Sequence, residues 1–259
     1  MLTQYVWQRQ TLAQLACEYG RSERWVQRQL ERAEPSTKLP RPEPIIAVMD
    51  TTYFGRGYGV LVVRCPRRRR NVFWKEVVAE TPEDYRAARV SLEEKGYIIE
   101  GVVLDGKRGV REVFKDLPVQ LCQFHQIQIV KRYLTSRPKT EAGKELRALT
   151  LTLTVSTEKT FTELLSFWQE KWKHFLQERT ITSDGKHWQY THRKIRSAYR
   201  SLKNNLSHLF TYQRYPQLKI PNTTNSLGGY FGRLKELLRV HRGQTIKHRY
   251  KLIQEILRN

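Results

Sequence analysis

The sequence predicts an α/β protein whose mixed-sheet core is interrupted by a helical insertion and preceded by a small all-α module. Three observations carry that reading. Apolar runs of strand length recur between residues 45 and 105, set apart by turn-forming or Arg-rich stretches. Residues 138–215 are instead polar, aromatic and helical in pattern, too long a stretch for a loop in a compact domain. The first 33 residues carry two short apolar stripes at helical spacing around a glycine.

The first element, QTLAQLACEYGRSERWVQRQLERA, has the pattern of a helix-turn-helix. Leu12, Leu15 and Ala16 make one stripe, Gly20 permits the tight turn, and Ser22 caps a second helix. That helix turns Trp25, Val26 and Leu30 inward and Arg21, Arg24 and Arg28 outward. As a DNA-binding module it would present those arginines to a major groove; as a plain helical hairpin it would only pack on the next domain. Residues 34–44 hold four prolines in eleven residues and read as a linker.

IIAVMDTTYF, YGVLVVRC and RNVFWKEVVAE follow as a three-strand meander, with the basic turn Arg67–Arg70 before the third. TPEDYRAARVSLEEKG is a helix with Thr81 as its cap, Pro82 at its first position and Gly96 as its stop. YIIEGVVLD is a further buried strand. A short helix over 109–115, a strand at VQLCQF and a helix over 126–134 complete the first part of the core, 45–137. The insertion spans 138–215, and 216–259 return to the core with two basic helices.

Lys and Arg number 47 against 25 acids, a formal charge of +22 in 259 residues, with a pI near 10.1. From Gly185 onward there are 16 basic residues and only two acids, Glu236 and Glu255, so +14 of the charge sits there. A solvated surface mixes signs; a one-sided one suits contact with the phosphates of DNA or RNA. An anionic membrane is the rival partner, but neither a long apolar run nor a signal sequence is present, and the chain reads as soluble and cytoplasmic. Three scattered cysteines, Cys17, Cys65 and Cys122, do not make a disulfide framework.

Asp50 and Asp105 each stand at the end of an apolar run, where a site can be built on rigid elements. Ordinary loop aspartates are the alternative. Two carboxylates brought together would repel unless cations neutralised them, and Mg²⁺ is the ion that favours oxygen ligands. Cys122 and His125 form a C-x-x-H spacing, but neither Cys17 nor Cys65 supplies a matching zinc half-site. In the insertion, Trp168, Trp172 and Trp188 either fill a local core or stack on splayed bases.

A strand-ending Asp50, Asp105 in LDG, a C-x-x-H seventeen residues on, a helical insertion and TTN…YFGRLKELLRVHRG together resemble the DDE transposases of bacterial insertion sequences, the Mutator-like group above all. The resemblance covers roughly residues 45–259. It implies an RNase H-like core, a two-ion Mg²⁺ site and cleavage and joining of double-stranded DNA at element ends and target, with a homodimer on DNA. Asp50 and Asp105 would be metal ligands. His125 would contact the reacting phosphate or nearby DNA, or would be bonded structurally beside the site. Arg233, Lys235, Arg239 and Arg242 would join the N-terminal arginines in DNA binding.

One departure stands out. The family pattern reads T-N-x-x-E, and its Glu is the third metal-binding carboxylate; here that position is Gly228. A second glycine follows at once, and each costs a helix about 1 kcal/mol relative to alanine. Cleavage is therefore expected to be impaired. A DNA-binding protein that no longer cuts, a decayed copy or an inhibitor of intact ones, is the alternative.

Overall fold

A computed structural model describes residues 1–33, 41–181, 186–241 and 246–258. The linker expected over 34–44 lies outside the described residues for 34–40, and Pro44 already begins the first strand. In chain order the helices and strands are α1 (Leu2–Trp7), α2 (Leu12–Tyr19), α3 (Glu23–Arg32), β1 (Pro44–Tyr53), β2 (Gly59–Cys65), β3 (Arg70–Val77), α4 (Pro82–Glu94), β4 (Ile98–Leu104), α5 (Val110–Val113), β5 (Val119–Leu121) and α6 (Gln123–Leu134). There follow α7 (Glu141–Leu151), α8 (Glu158–Lys171), α9 (Lys173–Gln177), β6 (Arg179–Ile181), β7 (Trp188–Tyr190), α10 (Arg193–Leu209), α11 (Thr211–Arg214), α12 (Asn225–Val240) and α13 (Ile246–Arg258).

The protein is α/β, with a mixed five-stranded sheet ordered β3-β2-β1-β4-β5. β2 and β3 are antiparallel, with a bulge at Val63/Arg64, whereas β4 and β5 are parallel. The chain divides into two compact units. One holds residues 1–43, 50–98 and 225–259; the other holds 44–49 and 99–224, so β1 contributes to both.

In the first unit, α2 opens on a capping box. The Gln14 N–H donates to Thr11 Oγ1 (3.2 Å) and the Thr11 N–H to Gln14 Oε1 (2.8 Å). Gly20 ends that helix at φ 59°, a conformation open to glycine at little cost, and Ser22 caps α3 by accepting the Trp25 N–H. Leu15 and Val26, both fully buried, close the two helices on each other. α1 precedes them and was not expected from the sequence. α4 starts on Thr81 with Pro82 behind it, and Asp84 returns the cap. α13 covers β3: Asn71 Nδ2 donates to the Leu257 carbonyl (2.8 Å) and Trp74 Nε1 to Gln254 Oε1 (2.6 Å).

In the second unit, the C-terminal ends of β4 and β5 are in register at Leu104 and Leu121. α10 packs on α6 and β5 through a seam of glutamines. The buried Gln120 and Gln123 amides both donate to the Leu209 carbonyl at 2.9 Å, and Gln126 bonds Ser201 and Asn205. Buried amides with matched partners fix one arrangement of these elements, because leaving any of them unpaired costs about 1–3 kcal/mol.

Three expectations need correction. β1 does not stop at Asp50 but runs on to Tyr53, since Thr51, Thr52 and Tyr53 are themselves strand formers beside β2. β5 ends at Leu121, so Cys122 is the residue before α6 and the helix starts at Gln123 instead of 126. The insertion is not all helical: β6 and β7 pair antiparallel, Thr180 opposite Gln189. Among the described residues no helix is long and apolar enough to cross a membrane.

Candidate functional site

Asp50 sits in β1 where the fully buried run Ile45–Met49 gives way to half-buried residues. Its Oδ1 accepts the Thr51 N–H at 2.9 Å. Asp105 follows directly on β4, half-buried, and its Oδ1 accepts the Lys107 N–H at 2.9 Å across Gly106, whose φ of 94° closes the turn. β1 and β4 are neighbours in the sheet.

At the same end of the β4–β5 pair as Asp105 stands the C-x-x-H. The Cys122 N–H donates to the Leu104 carbonyl at 2.7 Å, which extends the parallel ladder by one bond. The Cys122 sulfur, buried, accepts from the Thr224 N–H (3.2 Å) and Oγ1 (3.5 Å). His125 Nδ1 lies 3.5 Å from the same Thr224 hydroxyl. Gln123 adds two bonds to Asn222, one through its N–H and one through its side chain, each 2.9 Å. Cys122, Gln123 and His125 therefore clasp the segment that runs into α12. Burial pushes the Cys122 thiol up, but hydrogen bonds from His125 and Thr224 outweigh it and hold the thiol below its usual range.

Gly228 is the fourth residue of α12, one turn past its start, and is exposed. A Cβ built there meets nothing within 4 Å, and the same holds for Gly229 and Gly232. Among the described residues no close approach of backbone or side chains demands glycine at these positions. Glu236, the next acid on the helix, is ion-paired to Arg9 at 2.9 Å.

The predicted basic residues fall in exposed positions at α3 and α12. Arg21 precedes α3, where its guanidinium stands 5.7 Å over the Trp25 ring, and Arg24 and Arg28 follow within the helix. Arg233, Lys235 and Arg239 are exposed on α12; Arg242 lies outside the described residues. None of these six pairs with a carboxylate among the described residues.

The insertion holds basic residues that were not singled out from the sequence. Arg193, Lys194, Arg200 and Lys203 are exposed on α10, and Arg196 lies 3.5 Å over the Tyr190 ring. Arg179 lies 3.9 Å over the half-exposed Trp188. Basic residues at three- and four-residue spacing over 193–203 were the available signal. Trp168 is buried with its Nε1 donating to the Ala142 carbonyl, and Trp172 donates to Glu145.

The oxygen donors of Asp50 and Asp105 suit Mg²⁺ in kind. They fall short in number, for among the described residues no group of three or more His, Cys, Asp or Glu side chains is gathered as a metal centre would need. No family model matches the chain, and no curated protein matches it.

Proposed function

We propose that the chain is a DNA-binding protein of transposase architecture, with an RNase H-like core whose strand-cleaving chemistry is impaired at Gly228. The observation that carries this is the open, exposed setting of Gly228 on α12, three residues after Asn225 of the TTN frame, where nothing among the described residues calls for glycine. A lost carboxylate accounts for it. The order β3-β2-β1-β4-β5, a meander followed by parallel strands, supports the RNase H-like reading. So do Asp50 in β1 and Asp105 directly after β4, the neighbouring strand.

In this reading Arg21, Arg24 and Arg28 read or position the duplex, and Arg233, Lys235, Arg239 and Arg242 neutralise its backbone. Mg²⁺, where bound, would supply the charge that activates water at a phosphodiester. Asp50 and Asp105 would be its ligands, and with two carboxylates in place of three no cleavage step is assigned to the chain as it stands. His125, beside Thr224, would help keep the TTN segment's Thr224 in place.

Gel shifts with terminal-repeat DNA, random duplex and RNA, run beside a cleavage assay, test the proposal. Tight duplex binding that falls steeply with salt, with little cleavage, is the expected result. A flat salt dependence, or a preference for RNA, would overturn it. Strong cleavage would keep the architecture and discard the impairment.

A further inference from the structure

A pocket of about 460 Å³ in the first unit is lined by Trp7, Arg64, Arg69, Tyr230, Arg233, Leu234 and Ile256. Three arginines line it and, among the described residues, no acid does. Among the described residues none of Arg64, Arg69 and Arg233 is paired with a carboxylate: nearby Glu236 is taken by Arg9 and Glu43 by Arg68.

Arg64 is held in place by neutral partners. Arg64 Nη1 donates to Asn71 Oδ1 at 2.9 Å and Nη2 to the Arg69 carbonyl. Asn71 is itself anchored to the Leu257 carbonyl. The Arg64 guanidinium stacks 4.8 Å over Tyr230, whose hydroxyl is fixed on the Ile256 carbonyl at 2.5 Å, and Arg233 stands 5.5 Å over Trp7. A guanidinium carries five N–H donors, so Arg64 keeps three beyond those two bonds. Arg69 sits at φ 51°, a left-handed conformation unusual for a residue with a side chain, at the turn that delivers its carbonyl to Arg64. Burial, with the nearby Arg69 charge, lowers the pKa of Arg64, although the Tyr230 and Cys65 groups act the other way. A cluster of cations of which one, Arg64, presents a pre-set and partly desolvated fork gains most from a compact polyanion, and guanidinium geometry suits phosphate oxygens.

We propose that Arg64, Arg69 and Arg233, walled by Trp7 and Tyr230, form a phosphate-binding pocket that seats a backbone phosphate of nucleic acid. The proposal rests on the reading that the chain binds DNA, and it adds the β2–β3 hairpin to the surface that does so. A free phosphorylated molecule is the other source of the same chemistry.

The test compares the full chain with the Arg69→Gln/Arg233→Gln variant and with Arg64→Gln, and uses Lys131→Gln/Arg132→Gln as a charge-matched control. Duplex affinity is measured by anisotropy from low to physiological salt, and melting temperature is followed with added inorganic phosphate and ATP. Arg69 and Arg233 are exposed, so their replacement should leave melting unchanged. The expected result is a salt slope lowered by about one for each arginine lost, with a smaller change in the control. DNA binding unchanged in the variants, or weakened equally in the control, overturns the pocket while the DNA-binding reading survives. If the parent chain binds no duplex but is stabilised by phosphate or ATP through these arginines, that reading fails and a small-molecule phosphate site replaces it. No response to any of the three probes overturns both.

Discussion

The backbone N–H of Thr224 donates to the sulfur of Cys122 at 3.2 Å, closing 102 residues of chain and bringing the TTN segment onto the first turn of α6. This bond needs an acceptor at position 122, not a thiol as such. Cys122→Ser keeps one and should cost little. Cys122→Ala leaves the buried Thr224 N–H unpaired and should cost about 1–3 kcal/mol in chemical denaturation. Equal stability of the two variants would show that the bond contributes nothing.

Gly228→Glu should fold as well as the parent chain, since its Cβ enters open space and a helix gains when glycine is removed. A rise of up to about 0.5 kcal/mol is expected. If the proposed chemistry is right, the same change brings Mg²⁺-dependent cleavage of terminal-repeat DNA, and Asp50→Ala or Asp105→Ala in that background removes it. A well-folded Gly228→Glu protein with no cleavage would reject the lost-carboxylate account.

The tryptophans of the insertion separate by burial. Trp168 is 2% exposed and stacked on Tyr199, so Trp168→Ala should cost about 3–5 kcal/mol. Trp188 is 51% exposed, and its replacement should move stability by no more than about 0.5 kcal/mol. If Trp188 stacks on unpaired bases, Trp188→Ala should weaken single-strand binding by about 1–3 kcal/mol. Comparable melting losses for the two variants would refute this assignment.

His241 predicts the direction of an acid effect. Its ring lies 4.0 Å from that of Tyr5, beside a cavity also lined by His248, Glu23 and Lys251. Burial lowers its pKa below the ordinary histidine value, against a backbone hydrogen bond with Tyr5 that raises it. A depressed pKa means that the stability it contributes is complete above about 6.5, the unfolded value, and is lost as pH falls through the folded one. His241→Phe keeps a ring against Tyr5 and cannot titrate, so it should show a smaller drop in melting temperature from neutral pH to pH ~5. An unchanged drop would place the acid sensitivity elsewhere.

Much of the architecture was legible because local rules and tertiary packing agree. Thr81 and Pro82 announce α4, Gly20 ends α2, and the apolar runs around Val48, Val62 and Val103 are strands with nearly every side chain buried. What the sequence hid depended on long-range partners. Gln120, Gln123 and Gln126 look like surface residues until α10 supplies their acceptors. The β6–β7 pair has only three residues a side and no strong alternating pattern. Arg64 read as one basic residue in a strand, and nothing local tied it to Tyr230 in α12. Asp50 was expected to end its strand, but the strand's continuation past it turned on β2, a partner that periodicity does not reveal.

The bond from Asn71 to Leu257 joins residues 186 positions apart. On the ribosome, at roughly 5–20 residues per second, β3 would emerge about 10–40 s before the helix that covers it. Through that interval Val72 and Trp74 have no α13 to shelter them, and a nascent chain in this state offers an apolar strand to any neighbour. The hairpin's run of arginines, Arg67 to Arg70, lies beside this strand and gives it a strong like charge. Nascent chains on adjacent ribosomes would repel at the very strand most exposed to mispairing, so this arginine run, Arg69 included, would act as a gatekeeper during synthesis.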